Sequence, residues 1–301
     1  MYITTLHIAG LDIEMETEKL LYVNESFVPF LAHKETIGSA GSRYHAVFRQ
    51  TDRLEIPAEV GRIRTRDFDV YEESAGRYVR FYRDGREGKY YAVSRFNRES
   101  RMVQIRYLAG KEKSVSETGN SFLHIEWENM LLVEEKMILH ASCVRHPKLG
   151  GILFSGPSGV GKSTQADLWC VYLGADLLNG DRTILGRGLQ GWNAYGSPYA
   201  GSSRCYVNES CSVTAVVMLK QSPICRIRRM SKPEAFRAVY AGLTVNNWDS
   251  RFVEQICDLA GALIWNVPVY ELSCTPDKHA VEILYSELQK GYGDAEQRSE
   301  D

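Results

Sequence analysis

Apolar and polar residues alternate with a period of two through much of the first 115 positions, the pattern of half-buried strands. Residues 3–8 and 11–15 flank Ala9-Gly10 and predict a hairpin. Residues 44–49 read as another strand, and residues 27–31 around Pro29 fit no single element. Residues 77–83 set Tyr78, Arg80 and Tyr82 against Val79 and Phe81, and residues 89–96 and 102–108 repeat the style. The links at 84–88 and 97–101 are short and turn-rich, which predicts antiparallel pairing. The Tyr and Arg positions are expected to form a solvated sheet face, with peptide or nucleotide binding as the alternative use.

The pattern changes after residue 110. Residues 110–120 are polar and read as a linker. From Ser121 to about residue 135 a stripe of Phe122, Ile125, Asn129 and Val133 predicts a helix, expected to pack on the sheet of the following domain. Residues 137–144 predict a strand containing His140, and residues 147–150 a turn into the apolar run 151–155. Residues 164–173 place Ala166, Leu168, Trp169 and Tyr172 at mixed helical spacing, with Gly174 suited to the C-cap. Leu177-Leu178 begins a strand that ends in Asn179-Gly180-Asp181. Strands are predicted at 182–185, 191–195, 213–219 and 268–272, and an edge strand at 224–230. Helices are predicted at 232–243, 249–263 and 276–289, the last started by Thr275-Pro276. The expected fold class is α/β (α+β), with a β-rich N-terminal domain over residues 1–115 and a mixed-sheet domain over residues 116–301.

Composition adds mainly exclusions. A formal net charge of −2 offers no electrostatic case for nucleic acid. No apolar run approaches the roughly 20 residues of a membrane span, and the N-terminus lacks the charge and apolar order of a signal peptide. Seven cysteines with no C-x-x-C spacing suit reduced thiols in the cytoplasm and give no zinc pattern. A homo-oligomeric state is left open.

One stretch carries chemistry. Gly156-Pro157-Ser158-Gly159-Val160-Gly161-Lys162-Ser163, followed by Thr164, fits G-x-x-x-x-G-K-[ST] between a predicted strand and a predicted helix. Glycines at these places let successive N–H groups converge on phosphate oxygens, and the helix N-terminus adds its positive end. Lys162 can reach the β/γ-phosphates and the Ser163 hydroxyl can ligate Mg2+. Asp181, one helix later at a strand end, either meets the metal or the attacking hydroxyl, or merely caps a turn. His140, alone in its strand, reads as a core residue or a catalytic one. The small-residue loop from Gly196 to Arg204 either holds a hydroxyl or phosphate through its amides and Arg204, or is a plain connection.

Leu139-His140-Ala141-Ser142, then Ile152 through Ser163, then Gly174 through Asp181 together resemble the catalytic domain of HPr kinase/phosphorylase and its wider kinase-like relatives. The resemblance covers residues 139–185 closely and 196–287 loosely. It implies a P-loop core shared with phosphoenolpyruvate carboxykinase, and one site lined by a strand histidine, the phosphate loop and an acidic pair. Those positions correspond to His140, residues 156–163, and residues 180 and 181. The first acidic position is Gly180 here, which leaves the phosphorolysis direction open. The glycine-rich segment of true HPr kinases is replaced by Gly196 to Arg204, and residues 1–115 are unlike the usual HPr kinase N-terminal domain.

The resemblance therefore implies an ATP- and Mg2+-dependent kinase acting on a hydroxyl, with a serine of a protein or peptide as the expected acceptor. Lys162 and the loop amides would hold phosphate. Ser163 and Asp181 would touch the metal, and Asp181 would take the hydroxyl proton. His140 would sit beside Asp181, and Arg204 or one of Arg226, Arg228 and Arg229 would stabilise the transferring group. A nucleotide-binding regulator without transfer activity and a kinase of a small molecule such as free serine are the alternatives.

Overall fold

The structure is a computed structural model that describes the chain except residues 21–22, 33–41, 58–61, 75, 86–87, 117–122, 190 and 298–301, and except the side chains of residues 291–297. It divides into two compact units, Met1–Glu134 with Val245–Gln255, and Glu135–Thr244 with Ile256–Asp301. Each is built on a mixed sheet, so the α/β class read from the sequence holds. No helix among the described residues is long and apolar enough to cross a membrane.

The first unit is an eight-stranded sheet of β1 (Tyr2–Ile8), β2 (Leu11–Thr17), β3 (Ser42–Thr51), β4 (Ile63–Arg64), β5 (Phe68–Ser74), β6 (Arg77–Arg83), β7 (Tyr90–Asn97) and β8 (Met102–Leu108), in the order β1-β2-β3-β8-β7-β6-β5-β4. The β1–β2 hairpin turns through Ala9 and Gly10, both at positive φ (50° and 79°), the mirror-image turn whose twist matches the strands. The β5-to-β8 run is the expected antiparallel meander. The β2–β3 and β3–β8 pairs are parallel, which short-link reasoning could not foresee. Residues around Pro29 form a 3-10 turn, Glu25–Phe30, that buries Phe27 and Phe30.

Three expectations are corrected here. The supposed linker contains the short helix α1 (Glu112–Ser116). The helix expected from Ser121 is α2 (Trp127–Val133), with Ser121 and Phe122 outside the described residues. The expected solvated face is buried at Arg80, only 2% exposed, and at Tyr82, fully covered, while Tyr78, Tyr90 and Tyr91 are half-buried and Arg106 is exposed. Glu126, in the left-handed region at φ 54°, and Glu128 explain the burial. Arg80 Nε lies 3.2 Å from Glu126 Oε2, and its Nη1 lies 2.6 Å from Glu128 Oε1. The guanidinium also stacks over Phe68 and Trp248 at 5.0 and 5.5 Å. Burial alone would pull this arginine's pKa down, but the two carboxylates outweigh it and raise the pKa. This ion cluster keeps α2 in the first unit, so the boundary expected at residue 115 falls inside that unit.

The second unit holds β9 (Lys136–His146), β10 (Gly150–Ser155), α3 (Lys162–Leu173), β11 (Asp176–Asn179), β12 (Arg182–Gly188), β13 (Gly191–Tyr195), β14 (Ser210–Gln221), β15 (Arg226–Arg229), α4 (Lys232–Tyr240), part of α5 (Ser250–Asn266), β16 (Val269–Cys274) and α6 (Lys278–Gln297). Its sheet order is β10-β9-β12-β13-β14-β16-β15, with β10 also paired to β14 and β11 to β9. Strands β10, β14 and β16 run parallel, and β15 is the expected edge strand. Helix α6 starts one residue after Asp277, whose carboxylate accepts from the Ala280 N–H at 3.0 Å. The cap is therefore Asp277 rather than the Thr275-Pro276 pair.

Helix α3 buries Lys162, Gln165, Ala166 and Trp169, a stripe at i, i+3, i+4 and i+7. Two of the four are polar, and for that reason the helix looked irregular by sequence. Tyr172, read only as part of a mixed helical spacing, is 47% exposed. Trp169 is fully buried beside Phe154, His146 and Tyr285 and anchors the helix to the sheet. Gly174, at φ 63°, ends it as expected, its N–H donating to Cys170 O at 3.2 Å.

Candidate active site

Strand β10 delivers the phosphate loop. Gly156, Gly159 and Gly161 all have positive φ (141°, 77° and 109°), a backbone that a Cβ would strain. The N-terminus of α3 has no side-chain cap, so its leading N–H groups are available to an anion. Lys162 is 8% exposed and its Nζ donates to Gly156 O and Pro157 O at 3.2 and 3.3 Å. The ammonium is thus held over the loop rather than in solvent. Burial lowers its pKa, and Asp181 pulls the other way.

The strand beside the loop carries His140. Ser155, the last residue of β10, pairs with Ala141 of β9, and its Oγ donates to His140 O at 2.9 Å. On the other side of β9, Arg182 opposes both His140 and Ala141, a β-bulge. Such a bulge re-aims the side chain that carries it. The His140 N–H donates to Gly242 O at 2.8 Å, and the Ala141 N–H to Asp181 O at 2.9 Å. His140 Nε2 then meets Asp181 Oδ1 at 2.9 Å. Burial, followed by the Lys162 charge, pushes the imidazole below the ordinary histidine value of 6.5, while Asp181 opposes the shift. A largely neutral His140 donates its Nε2–H to the carboxylate.

The turn carrying Asp181 is fixed from below. Fully buried Asn179 accepts from the Asp181 N–H at 2.9 Å. Its amide donates to Ser197 O, Ser197 Oγ and Tyr199 O between 3.1 and 3.2 Å. Ser142 Oγ donates to Gly180 O at 2.8 Å. These bonds seat the loop around residues 197–203 directly against the turn. A Cβ on Gly180 would lie 2.1 Å from Ser203 Oγ and 2.6 Å from Ala200 O. The place where the resemblance implies a second carboxylate is therefore filled by this loop.

The structure thus brings together His140, Asp181 and the phosphate loop with Lys162, and it brings the loop that ends in Arg204 to the same turn. Arg204 is exposed at φ 52°, and no hydrogen bond or ion pair joins it to His140, Asp181 or Lys162. Arg228, another expected cation, is held on the edge strand by Glu234 and Glu271. The cation nearest Asp181 is Arg182, with Nε 4.0 Å from Oδ2 and Nη1 donating to Thr244 Oγ1 at 3.2 Å. It was missed by sequence, although its position directly after Asp181 could have signalled it. No three His, Cys, Asp or Glu converge as a metal site among the described residues. Ser163 and Asp181 offer one hydroxyl and one carboxylate, oxygen donors of the kind Mg2+ takes together with phosphates and waters.

No protein-family model matches the chain, and no curated protein matches it. Among solved structures, a similar chain is the Hpr(Ser) kinase/phosphatase from Coxiella burnetii, with 13% identity and a TM-score of 0.29 over 53% of this chain and 98% of that one. That likeness is distant.

Proposed function

We propose that this protein is an ATP-dependent kinase that transfers the γ-phosphate to a hydroxyl, with a serine of a protein or peptide as acceptor. The observation that carries this reading is the 2.9 Å pair of His140 Nε2, within β9, and Asp181 Oδ1, in the turn between β11 and β12, beside the phosphate loop and Lys162. The loop amides and Lys162 hold the phosphates in line with the acceptor. His140 donates to Oδ1 and fixes the carboxylate. Asp181 Oδ2 then takes the proton as the acceptor oxygen bonds to the γ-phosphorus and the bridging oxygen departs with ADP. Ser163 and Asp181 would be the ligands of Mg2+ from this chain, and the metal would neutralise phosphate charge. Arg182 is the nearest cation for charge on the transferring group.

A second reading, a nucleotide-dependent regulator without transfer, draws on Gly180. Its lack of room for a side chain leaves a single carboxylate at the turn. Incubation with γ-labelled ATP, Mg2+ and serine-containing peptides or free serine separates the readings. Label on a polypeptide supports the proposal. Label on free serine alone moves the acceptor class, and nucleotide binding without transfer to any acceptor favours the regulator.

A further inference from the structure

Gln165 is 1% exposed, and its side-chain Nε2 has no hydrogen-bond partner. An orphaned buried donor costs about 1–3 kcal/mol, so a polar residue on the inner stripe of α3 needs a reason. Gln165 lines a cavity of about 520 Å3, inside the range of small-ligand sites. The other walls include Val160, Leu219, Pro223, Cys274 and Pro276. Gly159, Gly161 and Thr164 border the same space, so it is continuous with the phosphate loop.

The topology accounts for the position. Strands β10, β14 and β16 are parallel, so their carboxyl ends reach one edge of the sheet. The phosphate loop follows β10, and residues 222–223 and 275–276 follow β14 and β16. Ligands of open α/β sheets bind outside such carboxyl ends. Gln221 Nε2 donates to Gly159 O at 3.2 Å and ties the second loop to the first.

We infer that this cavity holds the purine base of the nucleotide, with Gln165 Nε2 donating to a ring nitrogen between the apolar walls. The inference rests on the phosphate-loop reading above and extends it to the base.

The test compares Mg·ATP with Mg·tripolyphosphate by calorimetry on the full chain and on Gln165→Leu, which keeps the bulk and removes the donor. Wild type is expected to bind ATP about tenfold or more tighter than tripolyphosphate, through burial of the aromatic base. Gln165→Leu is expected to lose about two- to tenfold for ATP, the yield of one neutral hydrogen bond, with tripolyphosphate unchanged. A second measurement needs no variant: transferred NOEs from adenine H2 and H8 to the methyls of Val160 or Leu219 support the inference. Equal affinity for ATP and tripolyphosphate, or ATP bound without those NOEs, overturns the base site and leaves the phosphate loop standing. Binding of neither ligand overturns both.

Discussion

His140 Nε2 and Asp181 Oδ1 are 2.9 Å apart because a bulge in β9 and the Asn179 turn each hold one partner. The Lys162 charge adds to burial in lowering the His140 pKa, and burial lowers the pKa of Lys162 itself while Asp181 pulls it up.

His140 should titrate below 6.5, the ordinary histidine value. Its unfolded form binds a proton first, so stability should fall as pH drops through about 6.5 and on towards the folded pKa. NMR titration of the imidazole should show opposite responses to two variants. Asp181→Asn removes a raising influence and lowers the value further, whereas Lys162→Met removes a lowering influence and raises it. Shifts in one direction for both would contradict the coupling.

Mg·ATP should stabilise the wild type by mass action, by about 2.7 kcal/mol at a hundredfold excess over Kd. Lys162→Ala should lose most of that gain, because its Nζ is the ammonium held against the loop carbonyls. Thermal unfolding with and without nucleotide reads this directly, and an undiminished shift in the variant would sink the phosphate-loop assignment.

Gly180→Ala should destabilise by about 1–3 kcal/mol through overpacking, since the new methyl meets Ser203 Oγ and Ala200 O. Ser203→Gly in the same chain should recover part of the loss. Denaturant titration of the single and double variants tests the loop's fit, and a neutral single variant would show that the loop yields.

Arg80→Met should cost about 3–5 kcal/mol, because it leaves Glu126 and Glu128 buried beside each other without their cation. The same cluster argues against dividing the chain at residue 115, since that cut parts Arg80 from both carboxylates. Chemical denaturation of the full-length variant gives the number, and a loss under about 1 kcal/mol would mean that the cluster relaxes.

Local signals made the phosphate loop, its strand and helix, and the meander legible. Gly156, Gly159, Gly161 and Lys162 are spaced by the needs of a backbone turn, which is a sequence property. Arg80 was misread because its partner Glu128 lies 48 residues away, and alternation alone cannot say what covers a sheet face. The bulge opposite Arg182 arises from strand register rather than composition, so His140 stayed ambiguous until its neighbours were placed. Gly180 showed in sequence as a missing carboxylate, but only packing shows that Ser203 and Ala200 occupy the space. Arg204 illustrates the converse, a cation near the site in sequence whose side chain pairs with none of His140, Asp181 and Lys162.

The central claim is that Asp181 serves transfer rather than nucleotide binding, and one comparison tests it. Asp181→Asn keeps the shape and removes the basicity. Mg·ATP affinity should stay within a few-fold of wild type, while single-turnover phosphoryl transfer to the acceptor should fall by about 100-fold or more. Transfer that survives within a few-fold would contradict the account and leave Asp181 as a turn residue.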